Sequence, residues 1–283
     1  MADSTPLIDI QQISFSYEDA PPALRNVSLT IAPCEFVALL GANGSGKTTL
    51  AKHFNGLLRP ASGRVMVAGT DAQGQSIGDL ARTVGYVFQN PDHQIFLPTV
   101  AEEVAFGPRN LGIRGSELDE RVDEALALFD LIGLRERHPT LLGRGVRRRV
   151  ALAATHAMRP RLLVLDEPTG GLDQRTTDNL MAVLHDLVDA GRSVVLITHD
   201  MRLVGEHARR MVVLNDGQLN ADGPTEQIMT RHDLLQAAGI RPPAVARLAA
   251  DLAQWSIPAA LNVDEFVENF VAHSCVRQSG DQL

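Results

Sequence analysis

The sequence has few of the features that mark exported or membrane-spanning proteins. Only two cysteines occur among 283 residues, Cys34 and Cys275, and they lie far apart. This number is too small for a disulfide framework, so we expect a reducing compartment. The segment Met1–Ile10 lacks the basic and then apolar pattern of a signal peptide, and we expect no export. No apolar run approaches the roughly 20 residues that a membrane-spanning helix needs, so any membrane role requires partner chains.

An excess of positive charge is also missing. The chain carries 26 lysines and arginines against 34 aspartates and glutamates, a net charge of -8. Proteins that bind nucleic acid usually present a strongly basic face, so we expect no nucleic-acid partner. We interpret the basic run Arg147–Arg149 as a solvated helix face. The 45% hydrophobic content is sufficient for a large core, so we expect a folded chain and not a disordered one.

Short apolar runs predict a mostly parallel β-sheet covered by helices. Such runs are typical of strands buried on both faces. The clearest five are Phe36–Leu40, Gly85–Phe88, Leu162–Leu165, Val194–Ile197 and Met211–Leu214. Between the second and third lies a stretch, about residues 91–159, with no convincing strand and with helical periodicity in Leu118, Val122, Ala125 and Leu128. We interpret it as a helical insertion.

The last quarter of the chain changes character. Asn215-Asp216-Gly217 predicts a turn before a short return strand that ends near Gly223-Pro224. From about Arg231 the pattern is mainly helical. One helix is predicted after Pro242-Pro243, with Val245, Leu248 and Leu252 on it, and another at Asn262 and Glu265, ahead of Phe266 and Phe270. We therefore expect a main domain of residues 1–230 and a helical C-terminal extension of residues 231–283, a candidate dimerisation region.

A glycine-rich loop follows the first of these strands. It fits the pattern G-x-x-x-x-G-K-[ST] and reads Gly41, Ala42, Asn43, Gly44, Ser45, Gly46, Lys47 and Thr48. Glycines allow the loop to wrap so that backbone N–H groups and a helix N-terminus face phosphates. Lys47 adds a cation, and Thr48 adds a hydroxyl suited to magnesium. The loop predicts a nucleoside triphosphate site with Mg²⁺, but by itself leaves kinases, GTPases and ABC ATPases open.

Acidic and histidine side chains follow two later strands. Leu162–Glu167 is an apolar strand that ends in two carboxylates, Asp166 and Glu167. The first suits magnesium held through water, and the second suits polarisation of an attacking water. His199 follows the next strand, Ser193–Thr198. Ligands of open α/β sheets collect at the carboxyl ends of strands, so we expect these side chains to lie close to the glycine-rich loop.

In the order of these motifs, the chain resembles the ABC ATPase family from Ile13 to about Pro224. The resemblance implies ATP as the nucleotide, held by the glycine-rich loop with Thr49, and Mg²⁺ held near Thr48, Gln89 and Asp166. It also implies an adenine-stacking role for Tyr17, for which a strand-edge tyrosine is the alternative. Gln89 would sense magnesium and water, Glu167 would be the catalytic base, and His199 would contact the γ-phosphate. Gly171-Leu172-Asp173 matches the loop that communicates across a dimer.

The resemblance narrows further in two segments. Residues 87–96, VFQNPDHQIF, and 99–108, TVAEEVAFGP, are similar to the ATPases of energy-coupling-factor importers of cobalt, nickel and vitamins. That likeness implies a second ABC ATPase subunit, a transmembrane coupling subunit docked after Gln89, and a substrate-binding membrane subunit. It places the chain peripherally, at the cytoplasmic face of the membrane. His93 and the other histidines lack metal-ligand spacing, so we expect no cargo metal to bind this chain.

The fold implied by the resemblance is a phosphate-loop α/β core with an antiparallel strand layer near the N-terminus, the helical insertion and the small helical C-terminal region. A non-transport ABC protein acting on DNA or ribosomes is an alternative. The long coiled coil and the tandem ATPase domains of such proteins are missing from the sequence.

The chain departs from the family at the signature, which is normally Leu-Ser-Gly-Gly-Gln or -Glu. Here the positions hold Leu142, Gly143, Arg144, Gly145 and Val146. In the family, the signature of one subunit faces the γ-phosphate held by the other. Gly143 has no hydroxyl, and Arg144 brings bulk where backbone must approach closely, although its charge suits a phosphate. Two interpretations stay open: an active ATPase paired with a different, intact subunit, or a nucleotide-binding regulatory subunit with weak hydrolysis.

Overall fold

The computed structural model describes residues 5–252, 258 and 260–280. The predicted start of the chain and the predicted C-terminal extension therefore fall partly on residues outside these ranges. Ten strands are described: β1 Ile8–Phe15, β2 Leu24–Ile31, β3 Phe36–Leu40, β4 Ser62–Val67, β5 Thr70–Asp71, β6 Val84–Val87, β7 Leu162–Asp166, β8 Ser193–Ile197, β9 Arg210–Asn215 and β10 Gln218–Pro224.

The larger sheet has six strands in the order β10-β9-β3-β8-β7-β6. All neighbouring strands are parallel except the β9–β10 hairpin. The five predicted strands are confirmed, with β6 displaced by one residue toward the N-terminus. The predicted turn before β10 is confirmed too, because Asp216 and Gly217 both have positive φ, 47° and 73°. Two consecutive left-handed residues match the twist of a tight hairpin.

A smaller antiparallel sheet, in the order β2-β1-β4-β5, forms a second layer. The strand β3 shows how the two layers share the core. Val37 and Leu39 face the antiparallel sheet, whereas Phe36, Ala38 and Leu40 face the helices on the other side. All five are buried, as expected for a strand covered on both faces. The predicted α/β core with an antiparallel layer is confirmed.

Eleven α-helices lie within the described residues. They are α1 Lys47–Phe54, α2 Ile77–Leu80, α3 Val100–Asn110, α4 Gly115–Leu128, α5 Arg144–Ala157, α6 Gln174–Asp189, α7 Met201–His207, α8 Thr225–Met229, α9 His232–Ala237, α10 Ala244–Asp251 and α11 Val263–Gly280. Between β6 and β7, a fully described stretch, there are helices and no strand, so the helical insertion is confirmed.

The predicted apolar face of α4 is wrong at one residue. Leu118, Val122 and Ala125 are buried, but Leu128 is 41% exposed and Leu126 is buried instead. The chain leaves the helix at Phe129 and turns through Asp130, whose φ is 53°. The apolar contact at this end is therefore made by Phe129, which is buried, and Leu128 is directed toward the surface.

In the C-terminal region, the predicted helix starts match α10 and α11, but α10 ends at Asp251, so Leu252 follows the helix instead of lying on it. The small residues Ala246 and Ala249 are buried, whereas Leu248 is 46% exposed. The start of α11 matches a capping arrangement: Asn262 Oδ1 accepts from the Glu265 N–H at 2.8 Å, and the Glu265 carboxylate accepts from the Leu261 N–H at 2.7 Å. Across the described helices, none combines the length and apolar character that a membrane crossing requires.

Candidate functional site

The glycine-rich loop connects β3 to α1 at the carboxyl end of the larger sheet. Gly46 has a φ of 102° and immediately precedes α1. A Cβ atom built on Gly41 would lie 2.2 Å from the Leu214 carbonyl oxygen, and one on Gly46 would lie 2.7 Å from the Ala23 carbonyl oxygen. Contacts this short are sterically forbidden, so both positions require glycine. The loop therefore turns tightly, with backbone rather than side chains at its closest contacts.

Lys47, the first residue of α1, folds back over this loop. Its ammonium group donates to the carbonyl oxygens of Gly41 and Ala42, at 2.8 Å each. Burial lowers the pKa of Lys47, while the charges of Glu167 and Asp166 act in the opposite direction. The ammonium group is thus held at the loop by uncharged carbonyls, which an anion could replace as partners.

Oxygen atoms that could ligate a hard divalent cation lie together beside the loop. The Thr48 hydroxyl donates to Asp166 Oδ2 at 2.8 Å, and the Tyr86 hydroxyl donates to the same oxygen at 3.1 Å. Asp166, the last residue of β7, is only 3% exposed. Burial, followed by the charge of Asp166, raises the pKa of Tyr86, so the phenol keeps its proton and stays a donor. A threonine hydroxyl and a carboxylate are ligands that Mg²⁺ accepts, and these residues therefore fit that ion.

Glu167 has a backbone conformation that is uncommon for its residue type. Its φ is 49°, in the left-handed region, and its N–H donates to the Ile197 carbonyl oxygen of β8 at 2.9 Å. This turn separates the two adjacent carboxylates. The Glu167 side chain contacts His199, whose Nδ1 lies 2.8 Å from Glu167 Oε1, and the Thr198 hydroxyl lies 3.5 Å from the other oxygen. A strained residue held in this way is a frequent feature of functional sites.

A cavity of about 350 Å³ brings most of the predicted residues together. Its lining consists of Tyr17, Ala23, Asn43, Gly44, Gly46, Lys47, Thr48, Thr49, Gln89, Asp166 and Glu167. The other predicted loop residues, Gly41, Ala42 and Ser45, do not line it. His199 reaches the site through its contact with Glu167. Its own side chain is 86% exposed.

Tyr17 closes one end of this cavity. Its hydroxyl lies 3.2 Å from the Thr49 hydroxyl, and its ring packs edge-on against Phe15 with a centroid distance of 5.0 Å. The residue remains 44% exposed, which leaves part of its surface available to a ligand. Aromatic rings favour offset stacking on planar groups.

The predicted signature and dimer-loop residues lie outside this cavity. Gly143 precedes α5 and offers no side-chain hydrogen bond to the helix N-terminus, and Arg144 is exposed in its first turn. A Cβ on Gly145 would lie 3.1 Å from the Gly171 carbonyl oxygen, so the signature and the dimer loop contact each other. Asp173 caps α6 by accepting from the Thr176 N–H at 2.7 Å, which lowers the pKa of Asp173. These residues form a separate surface.

An apolar groove lies between the helical insertion and the segments that precede it in the chain. Its volume is about 330 Å³, and its lining includes Leu57, Ile77, Phe88, Phe96, Phe106, Ala154 and Met158. Phe96 is 63% exposed and packs edge-on against Phe106 at 4.9 Å. The buried Glu103 carboxylate accepts from the N–H groups of Phe96 and Leu97, at 2.9 and 2.8 Å. The exposed ring is therefore held by a fixed backbone.

Tyr86 and Arg148 contact predicted site residues, and the sequence reasoning missed both. Tyr86 lies on β6 and carries no motif, so no signal in the sequence marked it. Arg148 was wrongly included in a solvated helix face: it is 2% exposed and donates to the carbonyl oxygens of Gln89 and Glu167. Consecutive helical residues point about 100° apart, so Arg147–Arg149 could not all face solvent. That spacing was a usable signal.

Comparison with known proteins agrees with this architecture. The sequence profile of the ABC transporter family matches residues 24–170. The energy-coupling factor transporter ATP-binding protein EcfA of Methanothermobacter thermautotrophicus is 41% identical over 92% of this chain and 85% of that protein. The cobalt import ATP-binding protein CbiO of Rhodobacter capsulatus is 42% identical over 88% of this chain and 90% of that protein.

Some curated relatives are longer. A relative from Methanosarcina acetivorans is 43% identical over 96% of this chain but only 45% of its own length, so the chain spans about half of that protein. Among solved structures, cbiO1 of Clostridium perfringens, described as part of the ABC transporter complex cbiONQ, superposes with a TM-score of 0.72. It is 30% identical and covers 86% of this chain and 98% of its own.

A second solved structure is a dimeric ATP-binding cassette in a post-hydrolysis state, bound to ADP and Pi. It superposes with a TM-score of 0.70 at 28% identity, over 77% of this chain and 98% of its own. The profile, the relatives and the solved structures thus all indicate the same family. The chain belongs to the ABC transporter family, as an ATPase domain of that family.

Proposed function

We propose that this chain binds and hydrolyses ATP to energise import of a metal ion or vitamin through an energy-coupling-factor transporter. One observation carries the proposal: Lys47, Thr48, Asp166 and Glu167 face a single cavity at the carboxyl ends of β3 and β7. Cation, hydroxyl and two carboxylates in this arrangement suit phosphoryl transfer to water. The similarity to proteins named for energy-coupling-factor transport and cobalt import supports the cargo class.

The residues of this chain have separable roles in the proposed reaction. The backbone N–H groups of the loop and the N-terminus of α1 bind phosphate oxygens, and Lys47 exchanges its carbonyl partners for them. Tyr17 stacks on adenine. Glu167 accepts the proton of the attacking water, and His199, in contact with Glu167, reaches the γ-phosphate from the exposed side.

Mg²⁺ would be held by Thr48 and Asp166, with Gln89 at the same cavity. When bound, it supplies positive charge to the phosphate oxygens of the nucleotide. Tyr86 keeps Asp166 oriented by donating to one carboxylate oxygen.

The apolar groove is the proposed contact with the transmembrane coupling subunit. Exposed rings held on fixed backbone suit the apolar face of an amphipathic helix. Phe88 lines the groove and the next residue, Gln89, lines the nucleotide cavity, so a partner in the groove would lie beside that cavity. Together with a substrate-binding membrane subunit, this contact would hold the chain at the cytoplasmic face of the membrane.

The signature surface bears on how the chain pairs with a second ABC ATPase subunit. Paired with a subunit that has an intact signature, this chain would use its own cavity at full rate. The second candidate function is a nucleotide-binding regulatory subunit with weak hydrolysis. It is favoured by Gly143, which leaves the start of α5 without a side-chain cap.

The proposal is tested with the purified chain and Mg²⁺. We expect saturable ATP binding and release of inorganic phosphate, which increases when co-purified membrane subunits are present. A folded chain that fails to bind adenine nucleotide contradicts the proposal. Saturable binding without phosphate release, alone or with partners, favours the regulatory candidate. Mass spectrometry of membrane proteins that co-purify would identify the partners.

A separate variant tests whether the apolar groove contacts the membrane subunits. Phe96→Ser removes the exposed ring of the groove, and we expect loss of co-purifying membrane subunits with ATP binding unchanged. Ile132→Ser is the matched control, because Ile132 is 64% exposed but lies outside the groove. Equal recovery of membrane subunits with both variants would show that the groove is not the contact.

A further inference from the structure

Arg148 is a buried cation that joins the helical insertion to the nucleotide cavity. It lies one turn into α5 and is 2% exposed. One terminal nitrogen of its guanidinium donates to the Gln89 carbonyl oxygen at 2.6 Å, and the other donates to the Glu167 carbonyl oxygen. The two acceptors belong to the loops that follow the adjacent parallel strands β6 and β7. A single side chain on α5 thus binds the loops that follow two strands of the sheet.

Burial of this cation costs free energy, so the need to fill space does not explain why an arginine occupies the position. Burial lowers the pKa of Arg148, the charge of Arg144 acts in the same direction, and the carboxylates of Glu167 and Asp166 oppose them. Its Nε atom has no hydrogen-bond partner within the described part of the chain. An apolar side chain of similar volume would fill the space without this penalty.

The geometry of the guanidinium supplies what an apolar side chain cannot. Its two terminal nitrogens are fixed in one plane, so the carbonyls they bind are held at a fixed separation. One of those carbonyls belongs to Glu167, whose φ of 49° is unfavourable without support from its surroundings. A hydrogen bond to the carbonyl of that residue stabilises this peptide orientation and thereby the direction of the carboxylate.

The helix that carries Arg148 also forms a wall of the apolar groove. Ala154, Thr155 and Met158, on α5 and at its end, line the groove, and Gln94 donates to the Ala151 carbonyl and the Thr155 hydroxyl at 3.2 and 3.0 Å. A displacement of α5 by a partner in the groove therefore moves the guanidinium that binds both nucleotide-site loops.

We propose that Arg148 is a positioning residue that sets the separation of Gln89 and Glu167 and transmits movement of α5 to both. The proposal rests on the proposed ATPase function. Arg148 does not line the nucleotide cavity, so it acts through the two residues it holds. We expect Arg148 to affect the rate of turnover and the rigidity of the two loops, with little effect on nucleotide affinity.

Arg148→Met is the direct test, and Arg149→Met is the matched control. Arg149 lies on the same helix and also donates to two backbone carbonyls, those of Phe129 and Asp130, at 2.9 Å each. Neither acceptor lines the nucleotide cavity. We expect Arg148→Met to lower kcat about 10- to 100-fold with KM for ATP within about twofold, because small displacements of catalytic groups have effects of this size. Arg149→Met should leave kcat within about twofold.

Arg148→Lys should recover only part of the rate, because an ammonium group does not hold two carbonyls in one plane. Amide hydrogen exchange of the nucleotide-free chain gives a second readout that needs no ATPase activity. Arg148→Met should accelerate exchange in residues 87–94 and 166–171, whereas Arg149→Met should accelerate it near residues 128–132.

The outcomes separate the two proposals. A wild-type chain that does not hydrolyse ATP contradicts the proposed function, and the exchange data still decide whether Arg148 orders both loops. Unchanged exchange in both loops, or a wild-type kcat in Arg148→Met, overturns the positioning role. If Arg148→Met accelerates exchange throughout the chain, Arg148→Lys decides: a full wild-type rate in that variant overturns the proposal, and a partial rate with loop-specific exchange supports it.

Discussion

Two surfaces of this molecule carry the proposed chemistry, and they differ in how complete they are within one chain. At the sheet edge, the polar groups already have partners: Lys47 binds the loop carbonyls, Thr48 binds Asp166, and Glu167 contacts His199. At the start of α5, Gly143 provides no cap and Arg144 is exposed. The first N–H groups of a helix have no intrahelical acceptors, so this end is suited to contact with an external group.

The difference indicates where sequence change is tolerated. The sheet edge depends on glycines at close backbone contacts and on buried hydrogen bonds, so most substitutions there are costly. At the start of α5, Gly143 and Arg144 are exposed, so substitutions at these two positions should alter what the surface binds rather than whether the chain folds. The predictions below test this contrast, beginning with the largest expected effect.

Glu167→Gln tests the sheet edge most severely. Removal of the general base lowers turnover by about 10²- to 10⁴-fold, the usual range for such catalysis. The ATP dissociation constant should stay within about threefold, because the phosphate contacts remain. Phosphate release and equilibrium binding measure the two effects. Glu226→Gln, on an exposed residue of α8, is the control, and undiminished hydrolysis by Glu167→Gln would refute the assigned role.

Lys47→Ala removes the cation of the loop. Charge-assisted hydrogen bonds contribute about 1.5–3 kcal/mol, so we expect the ATP dissociation constant to rise about 10- to 100-fold. Titration calorimetry with Mg²⁺ and a non-hydrolysable ATP analogue measures this effect. Lys52→Ala, on the same helix but outside the cavity, should bind as the wild type does. An unchanged affinity in Lys47→Ala would contradict the proposed phosphate contact.

The pH dependence of the free energy of unfolding tests whether the C-terminal end of α5 is buried in the folded chain. Burial, followed by the charge of Arg192, lowers the pKa of His156 to about 4. The unfolded chain binds this proton near pH 6.5, so stability is full above that value and falls as the pH decreases toward 4. The free energy of unfolding should decrease by about 2 kcal/mol between pH 7 and pH 5 through this group.

Denaturant unfolding at several pH values measures this loss. His156→Leu removes the titration and should flatten the curve in that window, while the exposed His138→Leu should not. Equal pH dependence in wild type and His156→Leu would contradict the assignment. A flatter curve with His156→Leu would show that the C-terminal half of α5 belongs to the rigid part of the molecule, in contrast to its beginning.

Features set by short stretches of chain could be predicted from the sequence. The loop Gly41–Thr48 needs a strand, tight glycine turns and a helix in direct succession, and all three are readable locally. The acid pair and His199 were placed by the rule that strand ends of a parallel sheet meet at one edge. Their positions in the structure agree with that rule.

Features that depend on distant packing were missed. Arg148 contacts carbonyls 19 and 59 residues away in the sequence, so only its inward direction could be inferred from helical spacing. Likewise, Leu248 and Ala249 are adjacent on α10, and the smaller residue is the buried one. A preference for small residues at a close helix contact is not visible in a hydrophobic pattern.

Arg144→Gly, for which we expect the smallest effect, tests the surface at the start of α5. A cation in the first turn of a helix is unfavourable, and glycine also permits closer backbone approach. We therefore expect turnover of the chain alone to rise about two- to fivefold. The ATP dissociation constant should not change, because Arg144 lies outside the cavity. Arg231→Gly, at the residue before α9, should have no effect on turnover.

The alternative outcomes of this experiment are informative about pairing. Robust turnover that Arg144→Gly does not increase would show that the signature of this chain is not impaired. A fall in turnover would show that the guanidinium replaces the missing signature hydroxyl as a contact to phosphate across the subunit interface. In that case Arg144→Lys should retain more activity than Arg144→Gly, since part of the attraction depends on charge alone.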